Sequence, residues 1–485
     1  MSLRNVASVV GLLQVFVALA MLVAAGVALG YGDGGFPGIA LAALVTLVVG
    51  GGVYALTRMP EELNAREGFV AVALAWAATS VFGGLPYLFT GVLDSPAAAV
   101  FEAMSGFTTT GASVFGDVEA LPHGILFWRS LTHWLGGMGI IVLAIAILPY
   151  LGVGGMQLFR AEVPGPTTER LQPRITQTAK LLWLVYVGLT VAHTLLLALG
   201  GMGVFDAVNL AFATVSTGGF STRSTSYIGY SPYLQWVTAL FMYLGGLNFA
   251  LHYRAATGRP SAYARDPEWR FFTALVLLTA AAIVVLRQFD GELHTLEADA
   301  RHALFQVVSI VTTTGFVSED YELWAPGAQL VLFALFFVGG MAGSTSGGIK
   351  SIRVLLLLKE TTNELRRHLH PRAILIARVG RQPVKQEVLA NVVAFVILYL
   401  LICLLGAIVL AMLGSDLITS LTASMTTLGN VGPGFGRVGG VDNFGWMSGS
   451  ELTVCTFLML AGRLEIYTVL LLFHPETWKA RRSFH

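Results

Sequence analysis

Charge is scarce in this chain. Only 12% of its 485 residues are Asp, Glu, Lys or Arg, against roughly 25% in an ordinary soluble domain, and a soluble globular fold is excluded. The charges nearly cancel, 29 basic against 28 acidic, which removes the basic excess that would point to nucleic acid as a general partner. Cysteine is almost missing: Cys403 and Cys455 both sit in apolar runs, where they act as small hydrophobes and build neither a disulfide framework nor a metal site. Catalytic signatures are missing too. There is no H-E-x-x-H or G-x-S-x-G, and His368 and His370 in RRHLHPR lack the further ligands of a metal site. Gly30 to Gly35 and Gly434 to Gly439 match G-x-G-x-x-G outside any strand-turn-helix unit, and Gly343 to Ser351 fails as a phosphate loop because Ile349 precedes Lys350. An enzyme is not expected.

Apolar residues are abundant instead, at 55% of the chain with a mean hydropathy of +0.72, and glycine is high at 55 residues. A bilayer-spanning helix needs about 20 apolar residues, whereas about 10 to 14 suggest a re-entrant segment. Ten runs have the first length, near 7–30, 37–57, 68–91, 124–151, 176–200, 233–253, 269–287, 327–349, 387–413 and 449–473. Shorter runs recur at 96–107, 204–213, 302–311 and 417–425. The first run is too long for a signal peptide and has no convincing cleavage site, so it reads as a retained span. Most Lys and Arg fall in 158–180, 254–270, 350–385 and 479–482, nine of them between Lys350 and Lys385. The positive-inside rule then puts both termini in the cytoplasm, with the short runs entering from outside.

Internal repetition organises these runs. FEAMSGFTTTG (101–111), VNLAFATVSTG (208–218), FQVVSIVTTTG (305–315) and TSLTASMTTLG (419–429) align, with Glu102, Asn209, Gln306 and Ser420 nine positions before the last glycine. A long run after each carries LGGM (135–138), LGGL (244–247), VGGM (338–341) or LAGR (460–463). The expected fold is an all-α polytopic membrane protein of ten transmembrane helices. Two extra N-terminal helices occupy 1–67, followed by four helix, re-entrant loop, helix repeats at 68–157, 158–255, 256–386 and 387–485.

Lipid offers no hydrogen bonds, so non-helical backbone at membrane depth must be buried in protein or line a watery cavity. One Gly/Thr loop would serve equally to let helices pack closely. Four loops in one chain suit a selectivity filter, in which rings of carbonyls replace the hydration shell of a cation. Two further features belong to such a path. Arg463 stands where the other repeats have Met138, Leu247 and Met341, and mid-span arginines are costly and mark ion paths unless paired, here with Glu465. GGMAGSTSGGIK (339–350) puts five glycines where a helix should continue, which suffices to break or kink it.

MSGFTTTGAS (104–113), HWLGGMGI (133–140), ATVSTGGFSTR (213–223), VTTTGF (311–316), GGMAGSTSGGIK, TTLGNVGPG (426–434) and AGRLEIYT (461–468) resemble the Trk/Ktr/HKT superfamily of potassium transporters, nearest its bacterial TrkH-type subunits. The resemblance covers essentially the whole chain. It implies potassium uptake, with rubidium also carried, across a bacterial inner membrane, with the ion as cargo and no covalently bound cofactor. It implies filter glycines at Gly111, Gly218, Gly315 and Gly429, with carbonyls from Thr109 and Thr110, Ser216 and Thr217, Thr313 and Thr314, and Thr427 and Leu428. The second and fourth loops depart from Thr-Thr-Gly through Ser216 and Leu428. It also implies a gate made of Arg463 and an intramembrane loop holding Gly339, Gly340, Gly343, Ser344, Thr345, Ser346, Gly347, Gly348 and Lys350. The implied partners are membrane lipid, a second copy in a homodimer and a cytosolic ring of nucleotide-binding regulatory subunits that would dock on the basic 350–385 stretch. The rival reading is a symporter coupling potassium to protons or sodium, for which Glu102 and Glu465 are the mid-span acids.

Overall fold

The computed structural model describes residues 2–57, 65–146, 171–288, 295–373, 375–380 and 382–478. Six of its helices are long and apolar enough to cross a bilayer: Leu3–Tyr31, Phe36–Thr57, Glu67–Phe89, Ala179–Leu199, Pro267–Gln288 and Gln386–Met412. Two bent helix pairs raise the number to as many as eight among the described residues. The chain is a multi-pass membrane protein. Large apolar side chains such as Leu19, Leu44, Leu400 and Leu404 are exposed, as lipid-facing surfaces require of helices that are apolar all round.

Four short helices lie between the long ones: Pro96–Phe107, Val204–Val215, Leu296–Val311 and Leu417–Gly429. At 12, 12, 16 and 13 residues and 1.5 Å per residue they cannot cross about 30 Å of hydrocarbon. Three start on side-chain caps that satisfy an orphan N–H group: Ser95 accepts from Ala98 N, Thr295 from Ala298 N and Asp416 from Thr419 N.

The helices after these short ones differ from the even series in the sequence. His123–Ala146 runs unbroken through Leu135–Met138 to the edge of the described residues. Pro232–Gly245 turns by 104° into Phe249–Ala256, and Gly449–Arg463 by 116° into Tyr467–Phe473. The apolar run at 327–349 is helical only over Pro326–Leu335, and an irregular stretch then leads to the helix Ser351–Leu369. The break starts at Phe336, ahead of the glycine cluster. Among the described residues the strand pairing is limited to a two-residue antiparallel ladder, Arg378↔Pro383 and Val379↔Gln382, and an isolated bridge between Gly339 and Lys350. The expected boundary at 157/158, together with Arg160, Arg170, Lys479, Arg481 and Arg482, lies outside the described residues.

The two N-terminal helices pair through close backbone contact, since a Cβ on Gly11 would come within 2.8 Å of Gly50 O. They dock on the first unit, where Ala24, Ala28 and Ile39 share a core with Ile125 and Trp128. A larger core joins the second to fourth units through Leu210, Met242, Phe272, Phe305, Tyr399 and Leu428. Each short helix is therefore wedged between long ones with its C-terminal end, and the loop that follows, at the centre.

Candidate functional site

The backbone after each short helix repeats one conformation. Thr109, Thr217, Thr313 and Asn430 have φ of 52°, 55°, 57° and 54°, and two residues later Gly111, Gly219, Gly315 and Gly432 have φ of 83°, 89°, 79° and 99°. The intervening residue always donates its N–H five residues back: Thr110 to Ser105 O, Gly218 to Ala213 O, Thr314 to Ser309 O and Val431 to Thr426 O. The structurally equivalent triplets are thus Thr109-Thr110-Gly111, Thr217-Gly218-Gly219, Thr313-Thr314-Gly315 and Asn430-Val431-Gly432.

This register corrects the one read from the sequence in two loops. Ser216 caps the second short helix, its hydroxyl donating to Phe212 O at 2.7 Å. Thr427, Leu428 and Gly429 form the last turn of the fourth, with Thr427 Oγ1 donating to Ala423 O at 2.6 Å. TTLG looks like TTTG, but the fourth short helix runs on through Gly429, so the left-handed position falls on Asn430, which adopts it readily, where the other loops hold a threonine. The same shift separates the four polar residues. Glu102 and Gln306 reach the chain beyond their loops, at Val114 N and Glu319 O. Asn209 and Ser420 bond only locally, to Phe205 O and Ser415 O.

The four loops close a ring. A Cβ on Gly111 would overlap the carbonyl oxygen of Gly218, one on Gly219 that of Thr314, one on Gly315 that of Val431, and one on Gly432 that of Thr110. Each loop thus presses on the next and the fourth returns to the first, at a separation only glycine permits. Buried carbonyls are almost always hydrogen-bonded. Yet among the described residues no donor reaches the main-chain oxygens of Thr109, Thr110, Thr217, Gly218, Thr313, Thr314, Asn430 or Val431. The hydroxyls of Thr110 and Thr314 turn away, to Thr108 and Thr312 at 2.7 Å. A vestibule of about 100 Å³ opens at the ring, lined by all four loop glycines and by Arg223 and Asp442. At its rim burial raises the Glu322 carboxyl pKa, with Asp320 and Asp442 adding to the shift, against donation from Gly436 N at 2.7 Å.

Two buried devices brace the ring. His133 bonds Gly106 O through Nδ1 at 2.7 Å and accepts from Phe220 N through Nε2 at 3.1 Å, and its flat face occupies the space a Cβ on Gly218 would need. Glu102 pairs with Arg129 at 2.8 Å, both essentially inaccessible, and accepts from Val114 N at 2.9 Å. Arg129 also spans to Ser221 O at 3.3 Å, linking the first loop to the second.

Below the ring hangs the 336–350 loop. Its neck is closed by Gly339 N to Ile349 O at 2.8 Å and Ser351 N to Gly340 O at 3.0 Å, with Gly348 packed on Gly339. Its tip touches three of the four units. Thr345 Oγ1 is bonded at 3.1 Å to Val215 O and Gly245 O and at 3.2 Å to Thr217 Oγ1. Gly347 N donates to Thr313 Oγ1 at 2.7 Å, and a Cβ on Gly347 would overlap Gly429 O. Ser344 Oγ donates to Met341 O at 2.6 Å, Lys350 Nζ donates to Ser346 O, and Gly343 O accepts from Phe249 N at 3.1 Å. Gly340 gives Ser346 room.

Arg463 is 2% exposed. Its guanidinium donates to Thr345 O at 2.7 Å and to Gly136 O at 3.5 Å, so it joins the loop tip to the first unit. Among the described residues no carboxylate pairs with it. Glu465, its partner in the alternative reading of Arg463 as a structural pair, is bound by Arg353 instead. Of the basic 350–385 stretch, Arg367 is engaged by Glu360 and Glu364, and Lys359 by Arg378 O.

The chain is similar to known proteins over nearly its whole length. The family described as TrkH, cation transport protein, matches residues 37–480. The Trk system potassium uptake protein TrkH of Escherichia coli (strain K12) is 40% identical over 99% of this chain and 100% of its own. Its namesake in Halomonas elongata is 39% identical over the same shares. The crystal structure of the potassium transporter TrkH from Vibrio parahaemolyticus superposes with a TM-score of 0.91 at 38% identity, covering 99% of this chain and 100% of that one.

Proposed function

Because the chain belongs to the TrkH family of cation transport proteins, we propose that it takes up potassium, and rubidium with it, through the ring of four loops. The observation that carries this reading is the set of eight donor-free carbonyls, two per loop, in a ring closed by Gly111, Gly219, Gly315 and Gly432. Oxygen dipoles of this kind replace a cation's hydration shell. The C-terminal ends of the four short helices face the same point, and their partial negative charge favours a cation there. Each short helix with its flanking helices is one pore repeat, preceded by the two N-terminal helices, ten transmembrane elements in all.

The 336–350 loop and Arg463 form the gate. The loop tip fills the space beneath the filter and Arg463 holds it there with a positive charge, so a cation passes only when both withdraw. Both termini are cytoplasmic and the vestibule faces outside, in keeping with the basic residues of 350–385 on the opposite side. The protein sits in a bacterial inner membrane as a homodimer. A cytosolic ring of nucleotide-binding regulatory subunits acts on the gate from the 350–385 side, and this chain binds no nucleotide of its own. Coupled symport with protons or sodium is disfavoured because Glu102 and Glu465, the acids it would use, are held by Arg129 and Arg353.

The test is rubidium and sodium uptake by the purified protein in liposomes under an imposed potassium gradient, with the regulatory subunits added. Rubidium uptake driven by that gradient alone is expected. A strict requirement for a proton or sodium gradient would overturn the channel-like reading.

A further inference from the structure

We propose that Glu268 is the latch of the 336–350 loop, a positioning residue whose release lets the loop leave the pore. This rests on the reading of that loop as the gate. Glu268 stands at the start of Pro267–Gln288 and is 7% exposed. One of its oxygens, Oε1, accepts from Ala342 N at 2.8 Å, from Ser351 Oγ at 2.8 Å and from Ile352 N at 3.1 Å. The first donor lies on the limb that enters the loop and the other two on the limb that leaves it. A single carboxylate from a separate helix therefore straps both limbs at the neck, with Gly343 to Lys350 hanging below the filter.

The arrangement also completes a helix. Ser351–Leu369 begins at Lys350, whose side chain makes no cap bond, and orphan N–H groups at a helix start need an acceptor. Glu268 supplies it from outside the helix, and an anion at that end also suits the helix dipole. A buried carboxylate must keep its donors, so the loop cannot swing out unless Glu268 loses all three together. The helix that receives the cap is the one leading into the basic stretch, so displacing Ser351–Leu369 draws Ser351 and Ile352 away from Glu268 and frees the neck.

The variants to compare are Glu268→Gln, which keeps volume and weakens every bond, and Ser351→Ala, which removes one donor at little steric cost. Two readouts are needed: rubidium uptake in liposomes and hydrogen exchange of the 339–350 backbone. Glu268→Gln should raise uptake about tenfold, since bonds to a charged group are about twice as strong as neutral ones. It should also speed exchange in that segment and leave the rubidium-to-sodium ratio unchanged. Ser351→Ala should do the same to a smaller extent and add little on top of Glu268→Gln, as expected for one network. Unchanged exchange and uptake in both variants, with Arg463→Ala still raising uptake, would overturn the latch and leave the gate standing. Faster exchange without added uptake would keep the latch and overturn the gate.

Discussion

Four residues in the left-handed region, Thr109, Thr217, Thr313 and Asn430, and four glycines two positions later set the backbone of the candidate filter. A β-branched threonine there is held against its own preference, which costs about 1 to 3 kcal/mol per residue and persists only where the surroundings enforce it, whereas Asn430 takes the conformation readily. Ring closure supplies that enforcement. The corrected register separates two glycines that look alike in TTLGNVG. Gly432→Ala meets both a φ of 99° and the Thr110 carbonyl, and is expected to lower the rubidium-to-sodium uptake ratio at least about tenfold, the equivalent of 1.4 kcal/mol. Gly429→Ala sits in a helical turn with Tyr399 Oη 3.2 Å from the added carbon, and should change the ratio by less than about threefold. Parallel uptake assays on the two variants decide between the registers. His133 belongs to the same scale. As the bridge from Gly106 O to Phe220 N it requires both ring nitrogens. His133→Phe, which keeps the stacking on Phe220, should still cut selectivity several-fold in the same assay, because both bonds are lost.

Among the elements, the short helices and the 336–350 loop depend on different forces. The first and third short helices are clamped by buried ion pairs, Glu102 with Arg129 and Asp299 with Arg287, of which the first is the more enclosed. Arg129→Leu leaves a carboxylate without its cation and is expected to cost about 3 to 5 kcal/mol of stability, read as a lowered thermal unfolding midpoint of the solubilised protein. The loop's two limbs are anchored in the core by Phe336, Met341 and Ile349, whereas its tip from Ser344 to Gly347 is held largely by polar contacts. Removing one tip contact should therefore change flux more than stability. Arg463→Ala deletes both the positive charge and the bond to Thr345 O, and should raise rubidium uptake about tenfold or more with an unfolding midpoint near that of the unaltered protein. A flux no higher than that of the parent would remove Arg463 from the gate.

For the molecule as a whole, one chain supplies all four sides of the ring. Glu102 and Glu465, the acids that the coupled reading would use, are committed to Arg129 and Arg353. Adding a proton gradient should accordingly change rubidium uptake by less than about twofold, a factor worth under 1 kcal/mol, when measured against a potassium gradient alone. Much of this was legible in the sequence. Apolar runs of two lengths announced a membrane protein with short helices that do not cross, because the bilayer sets the length of every element. The repeated Gly/Thr loops, Arg463 and the glycine-rich 339–350 segment marked the site, because irregular backbone and a charge at that depth need a special reason. In the first and third loops the repeated backbone conformation falls on the letters Thr109-Thr110-Gly111 and Thr313-Thr314-Gly315. The second and fourth were read one and three residues early, since a helix can carry the same Thr and Gly letters through its last turn. That Thr345 holds Val215 and Gly245, that Glu465 takes Arg353 and leaves Arg463 to carbonyls, and that Glu268 straps the loop neck from another helix could be decided only by the tertiary structure. Periodicity and composition express what each segment requires of its solvent. Which donor meets which acceptor across a hundred residues depends on how the segments pack.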